Sequence, residues 1–132
     1  MALTLEIVTP EKRVAQLSCD EVRAPGALGG FGIRPGHASF MSALEPGPLV
    51  VVQGEREERY AVGGGFLQVD QDRVIVLADT AEPAAAIDVA RAKRAFAEAT
   101  ERLRSLAEQD ENHALEAARV RRAAARLAVA GH

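Results

Sequence analysis

His37 is the residue whose setting most invites chemistry. It stands in Gly30–Phe40, "GFGIRPGHASF", behind a Pro-Gly pair and among glycines. A histidine so placed could serve as a base, a metal ligand or one side of a phosphate cradle. Each role needs partners at set spacings. A helical metal site needs a pattern such as His-Glu-x-x-His. His37, His113 and His132 offer none, and no metal site is predicted. A catalytic base needs a nucleophile and an orienting acid. Ser39 and Ser42 lie near in sequence but in no elbow motif. A dinucleotide cradle needs Gly-x-Gly-x-x-Gly between a strand and a helix. Gly30 and Gly32 fill the first two positions, but Pro35 takes the third. A phosphate-binding loop needs a Gly-Lys pair, and the chain has none. His37 therefore reads as a turn histidine bonded to local backbone, and no catalytic residue is predicted.

A second set of candidates lies towards the C-terminus. After Glu116 come Arg119, Arg121, Arg122 and Arg126, with no acidic side chain among them. Their spacing places Arg119, Arg122 and Arg126 on one helical face and points Arg121 elsewhere. Two readings stay open. One is a solvated face that complements the negative end of the helix dipole. The other is an anion site, for an acidic partner segment or a phosphate group, both of which guanidinium recognises well. Glu82, Asp88 and Arg91 gather at the start of the preceding helix, where backbone N–H groups are unpaired.

The elements that must position these residues follow from composition and period. The chain has 132 residues, 48% of them hydrophobic, and a formal net charge of −3. That balance gives no global field for nucleic acid or an anionic membrane. The single cysteine, Cys19, excludes an intrachain disulfide and a cysteine-based metal cluster, and reads as a small core or strand residue. No apolar run approaches the roughly 20 residues that cross a bilayer. The N-terminus "MALTLEIVTPEKR" lacks the basic start and apolar core of a secretion signal, so a cytoplasmic protein is expected.

Composition shifts near residue 83. Every glycine but Gly131 lies before it, and alanine and arginine dominate after it. The first half reads as short strands with turns between them. "LTLEIVT" sets Leu3, Leu5 and Ile7 against Thr4, Glu6 and Val8. "VVVQGEREERYAVGG" and "GFLQVDQDRVIVLAD" read as hairpins, the second turning at Gln71-Asp72. Pro25, Pro35, Pro46 and Pro48 are expected at turns and strand starts rather than in central strands. The glycine triplet 63–65 marks a bulge or a close backbone approach. Asp88 is the expected N-cap of a first helix with a seam of Val89, Ala92, Phe96, Ala99, Leu103 and Leu106. "EQDENH" breaks the pattern, and a second helix runs from about Asn112 to Val129 with Ala114, Ala117, Val120, Ala124 and Leu127 on one side. The expected fold is an all-β N-terminal sandwich, residues 1–84, plus a C-terminal antiparallel α-helical hairpin, residues 85–132. Alanine-rich seams bury little area, so weak docking of that hairpin is expected.

With the residues set out, the chain closely resembles the epsilon subunit of bacterial F-type ATP synthase. The matching pieces are "LEIVTP", "GFGIRPGHASF", "LEPGPL", "YAVGGGFLQV", "VIVLADTAE" and "IDVARAKRA", in order over nearly the whole chain. The resemblance implies a sandwich followed by a helical hairpin. It implies a non-catalytic rotor subunit that helps couple ion-driven rotation to ATP synthesis. Its partners would be the gamma subunit, the ring of membrane c subunits and an acidic segment of the catalytic beta subunit. It would sit peripherally on the cytoplasmic face of the bacterial inner membrane, without inserting into it. The hairpin would fold down or extend, the extended form inhibiting ATP hydrolysis. "GALG" at 26–29 corresponds to the family loop that meets the ring, with Ala27 where many members carry an acid, beside Leu28 and Gly29. His37, with Arg34, falls in the part of the sandwich near gamma. No cofactor is required, but some members bind ATP as a regulatory ligand through Ile/Leu-Asp-x-x-Arg-Ala. "IDVARA" supplies Asp88, Arg91 and Ala92, Glu82 matches the adenine-side acid, and Arg122 and Arg126 match the phosphate arginines. An alternative to the rotor role is thus an ATP-binding module. The motif also fits a plain helix start, with Asp88 capping.

Overall fold

The structure, a computed structural model, describes residues 2–131. Its elements in chain order are β1 (Leu3–Val8), β2 (Arg13–Cys19), β3 (Glu21–Ala24), β4 (Phe31–Ile33), β5 (Phe40–Gln53), β6 (Arg56–Asp70), β7 (Arg73–Ala78), β8 (Ala81–Pro83), α1 (Val89–Arg104) and α2 (His113–Val129). A 3₁₀ turn, Ala84–Ala86, joins the strands to the helices.

The alternation read from β1 is realised. Leu3, Leu5 and Ile7 are fully buried, while Thr4 is exposed and Glu6 half-buried. The strands follow the hydrogen-bonded path β2-β1-β7-β6-β5-β3-β4, with β8 added to β6. All neighbours are antiparallel except β1 and β7. β5 and β6, of 14 and 15 residues, are the longest strands and pair with each other along most of their length. The second half of β6 pairs with β7 and its first half with β8. Between the layers lies one apolar core, built from β1 (Leu5, Ile7), β3 (Val22), β4 (Ile33), β5 (Leu49, Val51), β6 (Leu67) and β7 (Val74, Val76). Cys19 closes its edge, where burial and the charge of Asp20 push the thiol pKa up.

Glycine lies where β6 changes neighbour from β8 to β7. Gly64 and Gly65 have φ of 102° and 136°, a region that side chains resist. A Cβ on Gly65 would also run into the Leu77 carbonyl. The triplet is therefore the close backbone approach that the sequence suggested. The proline expectation needs correction, because Pro46 and Pro48 lie inside β5. They fall between a bridge at Gly26–Leu44 and the β3 ladder on Val50–Val52, so β6 is their one ladder neighbour. A missing N–H costs little at such a locally free edge. The β6–β7 turn is at Gln71 and Asp72, both left-handed, with φ of 48° and 62°.

Asp88 caps α1, its Oδ1 accepting the Arg91 N–H at 3.0 Å. The two helices pack side by side, and α2 also lies on β5 and β6. The predicted α1 seam holds, and the α2 seam shifts. Along the α1 seam, Ala92 and Ala99 are buried, Val89, Leu103 and Leu106 are half-buried, and Phe96, 36% exposed, is the outermost. In α2, Ala114 and Ala124 are exposed, whereas Glu116, Ala123, Ala125 and Val129 are buried. The reason is that α2 meets two surfaces, α1 and the sandwich, so a one-sided stripe does not describe it. A second small cluster, Ala61, Ile87 and Val129, joins the end of α2 to β6.

Candidate functional site

The structure brings most of the helix-start candidates to one place. A cavity of about 420 Å³ is lined by Glu82 of β8, Asp88, Arg91, Ala92 and Ala95 at the start of α1, Ala86, and Arg126 of α2. Each arrives for a local reason. β8 pairs with Tyr60–Val62 and so fixes Glu82 opposite Ala61. The Asp88 cap fixes the first turn of α1, and with it Arg91. The packing of α2 on β6 delivers Arg126, whose Nε donates to Glu82 Oε1 at 2.6 Å. Arg122 stands apart from the lining. It lies over β6, where Gly63 leaves room, since a Cβ at residue 63 would come within 3.0 Å of the Arg122 Cδ. The cavity thus combines two guanidinium groups from different helices with two carboxylates, an arrangement able to hold an anionic group with a polar base.

The arginines of α2 do not form one solvated face. Arg119 donates to Glu116 at 2.6 Å, Arg121 to Glu45 at 3.0 Å and Arg126 to Glu82 at 2.6 Å. Glu116 is 5% exposed and also accepts from Arg102 of α1 at 3.2 Å. Burial alone would raise its pKa. The hydrogen bonds and charges of Arg102 and Arg119 outweigh that and hold it below the ordinary value.

His37 is a turn residue. Its N–H donates to the Arg34 carbonyl at 3.2 Å, and its Nδ1 lies 2.7 Å from the Ala38 carbonyl, so Nδ1 carries the proton. The ring meets Phe40 edge-on, and Phe40 meets Phe31 in the same way. Ser39 donates to Asp70, and Ser42 to the Ala43 carbonyl, so neither serine is turned to the imidazole. Arg34 lies 3.5 Å from Glu21. Ala27, Leu28 and Gly29 form the β3–β4 loop. Ala27 N–H donates to Ala43 and Gly29 N–H to Gly26, both at 3.0 Å, which leaves the Leu28 side chain fully exposed.

One surface was not found by motif reading. Met41, Phe66 and Leu77 are 63%, 54% and 55% exposed, on neighbouring strands. With Ile75 and Gln68 they line a depression of about 250 Å³, and Phe66 and Leu77 continue into another of about 490 Å³ beside Val8, Thr9 and Pro10. The signal was present as an apolar residue at both phases of "VIVLA" and "GFLQV", where a one-faced strand would show polar alternation. Among the described residues no metal-ligand cluster occurs, and no helix is long and apolar enough to cross a membrane.

Comparison with known proteins agrees over the whole chain. Residues 2–84 match the beta-sandwich domain of the ATP synthase delta/epsilon chain, and residues 86–131 match its long alpha-helix domain. The ATP synthase epsilon chain of Anaeromyxobacter sp. (strain Fw109-5) is 67% identical over 131 residues, 99% of each chain. That of Myxococcus xanthus (strain DK1622) is 51% identical over 128 residues, 97% of this chain and 94% of the relative. In fold, a chain of the Euglena gracilis mitochondrial ATP synthase OSCP/F1/c-ring structure superposes with a TM-score of 0.83, at 23% identity, covering 99% of this chain and 82% of that one.

Proposed function

The chain belongs to the family of ATP synthase epsilon chains, and from that premise we propose that it is a central-stalk rotor subunit docked by its apolar sheet face on the gamma subunit. An epsilon chain is a regulatory and structural subunit without catalysis of its own. The observation that carries the docking is the exposed strip of Met41, Phe66 and Leu77. A contiguous apolar patch on a soluble sheet costs solubility unless a partner covers it. Close by in the fold, the uncharged loop around Leu28 suits a contact with the ring of membrane c subunits. On this reading the chain is attached peripherally at the cytoplasmic face of the inner membrane. The hairpin, rich in arginine on α2, would inhibit hydrolysis by engaging an acidic segment of the catalytic beta subunit. Replacing Phe66 by Asp should weaken binding to isolated gamma at least about tenfold, as loss of a central aromatic anchor does. Circular dichroism should stay unchanged, because Phe66 lies outside the core. Unaltered affinity would remove this face from the interface.

A second reading is favoured by the cavity. Five of the residues matched to an ATP motif, Glu82, Asp88, Arg91, Ala92 and Arg126, line it together. ATP as a regulatory ligand would place phosphates by the guanidinium groups. Calorimetric titration with Mg-free ATP should show binding that Arg126→Ala weakens by about tenfold or more. Heat indistinguishable from dilution would leave Asp88 as a helix cap only.

A further inference from the structure

We propose that Glu45 is an internal receptor for Arg121, holding α2 on the sandwich in competition with the acidic partner segment that the hairpin would engage. Arg121 Nη1 lies 3.0 Å from Glu45 Oε2, across 76 residues of chain. Glu45 belongs to β5, Arg121 to α2. The Arg126–Glu82 pair at 2.6 Å makes a second charged link between α2 and the strands. The apolar contact that accompanies them is short. Ala61, Ile87 and Val129 form the apolar contact, and Gly63 gives a floor without a side chain. A cluster of three buried residues buries little area, so the charged links share in holding this docking. Both links are partly solvated, with side-chain exposures of 54% and 43% for Arg121 and Glu45, and are therefore weakened by salt. The consequence is a competition. While α2 is docked, the carboxylate that meets Arg121 comes from its own chain. An acidic partner segment must displace Glu45 to take its place.

This inference rests on the inhibitory reading of the hairpin, and its test separates the two. In the full chain, Val129→Cys places a thiol in the buried contact of α2 with Ala61 of β6, and the native Cys19 is itself buried. Labelling of that thiol reports undocking. Adding Glu45→Gln should speed labelling about twofold to fivefold at low salt and flatten its salt dependence. The exchanged pair Glu45→Arg with Arg121→Glu should restore the slower rate. In the reconstituted synthase, Glu45→Gln alone should lower the chain concentration for half-maximal inhibition of hydrolysis by a similar factor. Unchanged labelling, or a failed restoration, would overturn the receptor role of Glu45. Faster labelling with unchanged inhibition would keep the latch and overturn the competition with a partner.

Discussion

Glu116 carries a full charge into the seam between two helices, and its neighbours explain why that is tolerated. Arg102 approaches from α1 and Arg119 from its own helix, at 3.2 and 2.6 Å. A buried carboxylate needs such partners, because desolvation alone disfavours it. Its folded pKa is lowered relative to 4.5 in the free side chain. The folded hairpin therefore prefers the ionised form. Its contribution is complete above about pH 5, begins to fade as the pH falls through 4.5, and is gone below the depressed folded value. Acid should loosen α1 from α2 in that window, and Glu116→Gln should abolish the transition while lowering hairpin stability at neutral pH. Interhelical nuclear Overhauser contacts followed from pH 7 down to about pH 3 would check both. His37 makes the opposite point. Its loop looks like chemistry in sequence, and its bonds to Arg34 and Ala38 make it architecture.

At the scale of elements, period carried the strands well and α2 poorly. β1 shows strict alternation because one face meets the core and the other meets water. The β6–β7 turn and the Asp88 cap are local devices, so local sequence displays them. Pro46 and Pro48 misled because edge status depends on where β3 stops along β5, which is set by partners far away in sequence. The α2 stripe misled for a related reason. A helix pressed on two sides buries residues around much of its circumference, and Glu116 joins them only because Arg102 lies across the gap. The candidate cavity was legible in its parts, since Glu82 and "IDVARA" are close in sequence. The Arg126 contribution required knowing that α2 folds back. The Met41, Phe66 and Leu77 face showed only as excess apolarity, which in isolation also fits a deeply buried strand.

At the scale of the molecule, the proposed function divides between two units. The sandwich offers an apolar sheet face and an uncharged loop, both suited to stable contact. The hairpin is held by ion pairs and a short apolar contact, and is suited to release. On the proposed function, docking belongs to the first unit and regulation to the second. The direct test deletes residues 88–132 and adds the remaining chain to synthase depleted of this subunit. The truncated chain should stay folded, bind gamma as tightly as the full chain and leave ATP hydrolysis uninhibited. An unfolded fragment, or a folded one that inhibits hydrolysis as the full chain does, would contradict it.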